Sequence, residues 1–264
     1  MSGAGPAGVV KVRAMRTRGW IIPAAAALAV SIAAGSRAQP SGPAAPRAAV
    51  PAEPVVVELF TAQGCAGCPE ANARVEALAS TPGVIALTYA VDYWDYLGWA
   101  DTFARPEFAQ RQRAYRRPLK LRAIGTPQVV IDGRRQVPGA LEAALEAAVE
   151  EEAARRVFPP EIEFREAGDR VGVGSGRAPA GGAEVVAVVY RPGPQTVEIE
   201  RGDNRGQTVR QVNVVRSVRS LGAWSGRPAL YDLPAGLGPD EAVAVLVQAR
   251  ADRRILNGAV LPPG

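Results

Sequence analysis

The stretch 55-VVVELFTAQGCAGCPEANARVEALA-79 sets the reading of the whole chain. Val55 to Phe60 is a short apolar, β-branched run, which reads as a buried strand. Ala71, Val75, Leu78 and Ala79 follow at helical spacing, and Pro69 stands in the first turn, where a missing N–H costs little. Between strand and helix lie Cys65 and Cys68, the only cysteines in 264 residues. Cysteines at i and i+3 near a helix start project to one side and can close a disulfide. The partial positive charge of the helix N-terminus favours a thiolate at Cys65. Gly64 and Gly67 keep that sulfur approachable. A purely structural disulfide gains little here, because the entropic gain grows with loop length and this loop is minimal. The pattern therefore points to redox or ligand chemistry.

Outward from this unit, Val84 to Val91 reads as a second strand. Pro106 to Arg117 reads as a polar helix, and Ala140 to Val157 as a helix with an apolar stripe, Leu141, Ala144, Leu145, Ala148 and Val149. Gln128 to Ile131 and Arg135 to Val137 flank Asp132-Gly133, which is hairpin-turn chemistry. A strand–helix–strand crossover is right-handed and parallel, so both strands end at one edge. That edge receives the Cys65–Cys68 loop, the loop 92-DYWDYLGW-99, and 125-GTPQ-128 at the start of an antiparallel third strand. After Pro160 the pattern changes to short alternating runs separated by Gly, Pro and Asp clusters: Ile162 to Arg165, Val171 to Val173, Val185 to Tyr190, Val197 to Glu200, Val209 to Val218 and Ala242 to Ala249. Such runs suggest an antiparallel sandwich or barrel over residues 160–264.

The N-terminal segment reads as a leader. Arg16 and Arg18 precede a short apolar run from Ile21 to Gly35, and Ser36-Arg37-Ala38 has the small-x-small form of a cleavage site. Residues 1–38 are expected to be an export signal, with 1–14 as an upstream extension, and 39–54 a Pro/Ala-rich linker. The chain has 31 basic and 26 acidic residues. Lys11, Arg13, Arg16, Arg18 and Arg37 fall in the leader, so 31 less these five balances the 26 acids. A near-neutral mature chain gives no reason to expect a nucleic-acid partner. Membrane contact is expected only through an uncleaved leader. The chain has no histidine, which excludes a Ser-His-Asp triad, a Cys-His nucleophile and a His-ligated metal. No cofactor and no metal site is expected.

The order strand, C-x-x-C at a helix start, Thr126-Pro127 leading into PQVVIDG, Gly139 and a last helix resembles the thioredoxin fold over about Val55 to Val157. More narrowly, VELFTAQGCAGCP, VDYWDYLGWAD, RQRAYRR, TPQVVIDG, NVVRSV and VLVQ resemble a family of exported bacterial thioredoxin-like proteins known only as a domain of unknown function. That family commonly has a histidine before VDYWD, where this chain has Ala90. The resemblance implies an α/β thioredoxin-like domain, 55–158, followed by the antiparallel β-sandwich or barrel-like domain, 160–264. It implies a cis peptide at Pro127, with the Thr126 backbone pairing an extended substrate. It also implies Cys65 as the exposed attacking thiol and Cys68 as the buried resolving thiol. Glu58 either supplies the buried acid that thioredoxins carry on this strand, at a spacing one residue longer, or sits at an exposed strand edge.

Tyr93, Trp94, Asp92 and Asp95 are the candidate substrate wall, with core packing as the plain alternative for Trp94 and Trp99. Arg105, Arg111, Arg113, Arg116, Arg117, Lys120 and Arg122 read as a solvated face, or more sharply as a site for an acidic partner or a membrane surface. The expected function is an exported thiol–disulfide oxidoreductase that uses Cys65 and Cys68 on protein thiols or disulfides, served by an electron-donor protein and located in the periplasm or outside the cell. The alternatives are a Cu(I)-type metallochaperone and a non-enzymatic binding module on a thioredoxin-like scaffold.

Overall fold

Residues 53–155 and 158–264 are described by a computed structural model of the chain. The expected leader and nearly all of the expected linker lie outside those residues. Strand β1 (Val55–Thr61), helix α1 (Cys68–Ala79) and strand β2 (Val84–Ala90) form the expected crossover unit, with β1 and β2 parallel from Val55↔Val84 to Thr61↔Ala90. A 3₁₀ turn at Asp95–Leu97 and helix α2 (Pro106–Tyr115) follow. Strand β3 (Gln128–Ile131) runs antiparallel to β1, then turns into β4 (Arg135–Pro138) and helix α3 (Glu142–Arg155). Asp132 and Gly133 both hold positive φ, 48° and 63°, as a hairpin turn of the primed type requires. Gly133 is obligatory for a second reason: a Cβ there would lie 2.1 Å from the Arg253 carbonyl oxygen.

The second half supplies β5 (Ile162–Phe164), β6 (Arg170–Val173), β7 (Ala183–Glu198), β8 (Thr208–Trp224), β9 (Ala229–Asp232), β10 (Ala242–Ala249) and β11 (Ile255–Leu261). These strands overturn the expected architecture. The chain is not a thioredoxin-like α/β domain followed by a separate antiparallel sandwich or barrel. One mixed eight-stranded sheet runs through both halves in the order β11-β10-β7-β8-β2-β1-β3-β4. Only β5, β6 and β9 form a second sheet, and the described residues hold eleven strands against three α-helices.

The reason lies at the outer edge of β2, which β8 occupies in parallel at Thr88↔Val214. An open strand edge presents unpaired N–H and C=O groups and is covered where it can be. Asn213, at φ 50°, makes the join: its amide donates to the Ala86 carbonyl at 2.9 Å, and its side-chain oxygen accepts from the Gly193 N–H at 3.0 Å. Arg210 on β8 adds a bidentate pair with Glu76 on α1.

Two layers cover one face of the sheet. Over β1 and β3, helices α1 and α3 bury Val57, Leu59, Val75, Val129 and Leu145. Over β7 and β10, the small sheet buries Val185, Ala187, Val245 and Trp224. The opposite face packs Val56, Phe60 and Leu87 from the first half against Val186, Val188 and Leu246 from the second, so the two halves share one core. Each such buried apolar side chain contributes about 1.5–3 kcal/mol. The sheet curls enough that a Cβ on Gly258 of β11 would meet Val56 and Ile85 at 3.0 and 3.2 Å.

Candidate functional site

Cys65 and Cys68 are joined as a disulfide, with Cα atoms 5.4 Å apart. Helix α1 begins at Cys68 and has proline in its first turn. The Cys65 carbonyl accepts the Cys68 N–H at 3.1 Å, which closes the loop against the helix N-terminus. Both sulfurs sit in an apolar setting. Cys68 is fully buried, and Cys65, expected to be the exposed thiol, is only 2 % exposed. The exposed residues of the loop are Ala66 and Gly67.

The three loops expected at this edge do meet. Thr126–Pro127 is a cis peptide, and a Cβ on Gly67 would lie 3.7 Å from the Pro127 ring. Trp94, half-buried, donates its indole N–H to the Thr126 hydroxyl at 2.7 Å. Exposed Tyr96 stacks on Trp94, their rings 6.4 Å apart and 16° from parallel. The Tyr93 hydroxyl donates to Gln112 at 3.1 Å, and the Gln112 amide reaches the Gly125 carbonyl and Gln128. Gln112 of α2 therefore ties the aromatic loop to the Thr-Pro loop. Asp95 accepts the Asp101 N–H at 3.1 Å. Asp92 is half-buried at the end of β2.

Beneath the dithiol lies a polar cluster. Gln63 donates its backbone N–H to Asp101 at 2.7 Å and accepts the Trp99 indole N–H at 2.8 Å. Asp101 is buried, and burial pushes its carboxyl up to about 6, helped by nearby Asp95 and against the backbone N–H groups of Gln63, Phe103 and Ala104. From the far side Asn204, between β7 and β8, donates to the Gln63 carbonyl at 2.7 Å and to the Cys65 carbonyl at 2.9 Å. Its turn presses on the site: a Cβ on Gly202 would lie 3.9 Å from Gly64 Cα and from the Cβ atoms of Leu97 and Trp99.

Glu58 is fully buried, so it does not sit at an exposed edge. It shares its strand face with Val56 and Phe60, while Val57 and Leu59 face α1 and α3. Arg111 donates to one carboxylate oxygen at 2.6 Å and the Tyr115 hydroxyl to the other. Arg111 also lies over the rings of Tyr89 and Tyr115, at 5.6 and 5.7 Å, and reaches Gln248 of β10. Burial alone would lower the Arg111 pKa, but the Glu58 carboxylate holds it well above its usual value. Arg111, counted in the sequence with a solvated face, is thus a core residue with an ion-pair partner.

The structure brings Cys65, Cys68, Thr126, Pro127 and Trp94 together and ties Tyr93 and Asp95 into their support. Glu58 is engaged by α2. Sequence reading gave no site role to Gln63, Asp101, Gln112 or Asn204. The last bonds to partners 139 and 141 residues away, and no local pattern signals that. Among the described residues no group of three or more His, Cys, Asp or Glu is placed to hold a metal ion.

A family model described as "Protein of unknown function (DUF1223)" matches residues 56–248. No curated protein matches the chain. The chain is similar to a protein of Agrobacterium tumefaciens known from an X-ray crystal structure, with 32% identity, a TM-score of 0.65, and coverage of 80% of this chain and 94% of that one. It is also similar to HBP35 of Porphyromonas gingivalis, with 16% identity, a TM-score of 0.52, and coverage of 80% and 75%. At that identity the likeness concerns the fold alone.

Proposed function

The chain belongs to the DUF1223 family, and on that premise we propose that it is an exported thiol–disulfide oxidoreductase acting on protein thiols or disulfides. The observation that carries the reading is the placement of the Cys65–Cys68 disulfide at the start of α1, with Pro127 against Gly67 and Trp94 bonded to Thr126. A bridge over so short a loop contributes little to stability, so its position beside two other converging loops calls for another role. The order of a strand, C-x-x-C at a helix start and a cis Thr126–Pro127 step, which resembles thioredoxins in sequence, supports the same reading.

The exchange balances as follows. A substrate thiolate attacks Cys65 Sγ, the bond to Cys68 breaks, and Cys68 leaves as a thiolate at the positive end of α1. The second substrate thiolate then attacks its own sulfur in the mixed disulfide and frees Cys65. Two electrons pass from substrate to protein, and the two thiol protons end on Cys65 and Cys68. Run backwards, the same steps reduce a substrate disulfide, and an electron-donor protein resets the pair. An extended substrate pairs with the Thr126 backbone during the exchange.

A Cys68→Ser variant is expected to accumulate mixed disulfides on Cys65, read by non-reducing electrophoresis and peptide mass. If it traps nothing, and the wild-type pair does not equilibrate with glutathione or dithiothreitol, the reading falls. The low exposure of Cys65 favours a second reading, in which the disulfide only holds the loop as part of a binding scaffold. A Cys65→Ala/Cys68→Ala variant that keeps all cellular behaviour would establish that one.

A further inference from the structure

We propose that the segment from Arg113 to Ile124 is a docking surface for an acidic stretch of the protein substrate. This rests on the redox reading and names its substrate class. The segment RAYRRPLKLRAI holds five cations, Arg113, Arg116, Arg117, Lys120 and Arg122, and no acid. All five are exposed around an open basin of about 1060 Å³. Among the described residues none of the five has an acidic ion-pair partner, whereas Arg111, on the same helix α2, is buried on Glu58. With the charge of the chain nearly balanced outside the leader, an unpaired cluster of this kind sets the sign of the local field.

The surface is preshaped. Beyond α2, the Leu119, Lys120 and Leu121 N–H groups bond back to Tyr115, Arg117 and Arg116, with Lys120 in the left-handed region at φ 54°. The Arg116 guanidinium donates to the Arg122 carbonyl at 3.1 Å, which closes the rim. The basin also leads by a short stretch of chain to Pro127, which packs against the dithiol loop at Gly67. Ile124 lines it and is three residues from Pro127, so at most about 11 Å of chain separates the two. Gly125 in between is held by Gln112. A substrate segment paired along Thr126 would therefore run onto the basin. The basin is concave, and its apolar residues Leu121 and Ile124 are half-buried rather than protruding, which suits a polypeptide better than a lipid surface.

The test uses the full-length oxidised protein and two synthetic dithiol peptides that differ only in flanking residues, four glutamates or four lysines. The glutamate peptide is expected to reduce Cys65–Cys68 about tenfold faster at low salt, and the advantage to vanish near 1 M salt. The variant R113Q/R117Q/R122Q should erase the advantage. The control R219Q/R227Q/R250Q, which removes three exposed arginines elsewhere, should retain it. Comparing variants on the same peptide cancels the effect of flanking charge on the peptide thiols. Equal rates for both peptides, or an advantage that survives in R113Q/R117Q/R122Q, overturn the docking surface and leave the redox reading intact. If neither peptide reacts, the redox reading falls. Binding of the glutamate peptide by fluorescence anisotropy, lost in R113Q/R117Q/R122Q, then upholds the surface, and absent binding overturns it. Preference for phosphatidylserine vesicles over the glutamate peptide overturns the polypeptide partner.

Discussion

Replacing Asn204 with alanine isolates what the second half of the chain does for the dithiol. The Asn204 amide donates to two buried carbonyls, those of Gln63 and Cys65. The Cys65 carbonyl keeps its second donor, the Cys68 N–H, so its loss is partial. The Gln63 carbonyl is left without its Asn204 donor inside a buried site. An acceptor stranded in this way costs about 1–3 kcal/mol, and we take about 2 kcal/mol as the net loss for N204A. That cost is relieved when residues 199–207 swing away and let water reach the carbonyls. The same 2 kcal/mol then appears as a roughly thirtyfold larger open population. Two measurements follow. Urea unfolding of the disulfide form should show the loss of stability. Alkylation of the reduced protein should show Cys65, buried at 2 % exposure in the disulfide form, reacting about thirtyfold faster. N213A serves as the contrast: it removes the bond to the Ala86 carbonyl at the β2–β8 join and should lower stability without changing the alkylation rate. If N204A unfolds within about 0.5 kcal/mol of wild type and alkylates at the same rate, the Asn204 bonds do not hold the dithiol loop closed. If N213A accelerates alkylation as much as N204A, general loosening explains the effect and the specific role of Asn204 is again refuted.

Two further outcomes test the polar interior. R111M leaves Glu58 buried without a counter-charge and is expected to cost about 3–5 kcal/mol in chemical denaturation, with E58L/R111M recovering most of it; a single-variant cost under about 1 kcal/mol, the range of exposed pairs, would contradict the buried network. Asp101 titrates near 6 in the folded state and near 4 unfolded, so between those values the folded state binds more protons and stability falls as pH rises. The fall is about 3 kcal/mol across that window and flat above it, and D101N should remove the slope; a slope unchanged in D101N would show that another group carries it.

The elements nearest the dithiol were legible because their signals are local. The β-branched run at Val55, the helical spacing after Pro69 and the Asp132-Gly133 turn all gave elements close to where they were expected. The second half misled for a physical reason. Ala242–Ala249 is buried along its whole length and Ala183 to Tyr190 nearly so, and this marks interior strands covered on both faces. Read as short alternating runs, the same residues suggested a separate antiparallel sandwich or barrel. Arg111 failed similarly, since its place among other arginines carries no trace of Glu58, 53 residues earlier.

Composition and spacing settled which chemistry is open to this chain. With no histidine and one cysteine pair three residues apart, soft reactivity concentrates at Cys65 and Cys68, and the crossover rule brings Thr126-Pro127 and the DYWDYLGW loop to the same edge. Only the folded chain decided what closes that edge. The pairing of β2 with β8 and the bonds of Asn204 to the dithiol loop join residues more than a hundred positions apart, and Cys65 is buried beneath them. Local propensity is blind to such contacts, because the unpaired edge of β2 and the carbonyl of Gln63 acquire their partners only when both halves condense on one core.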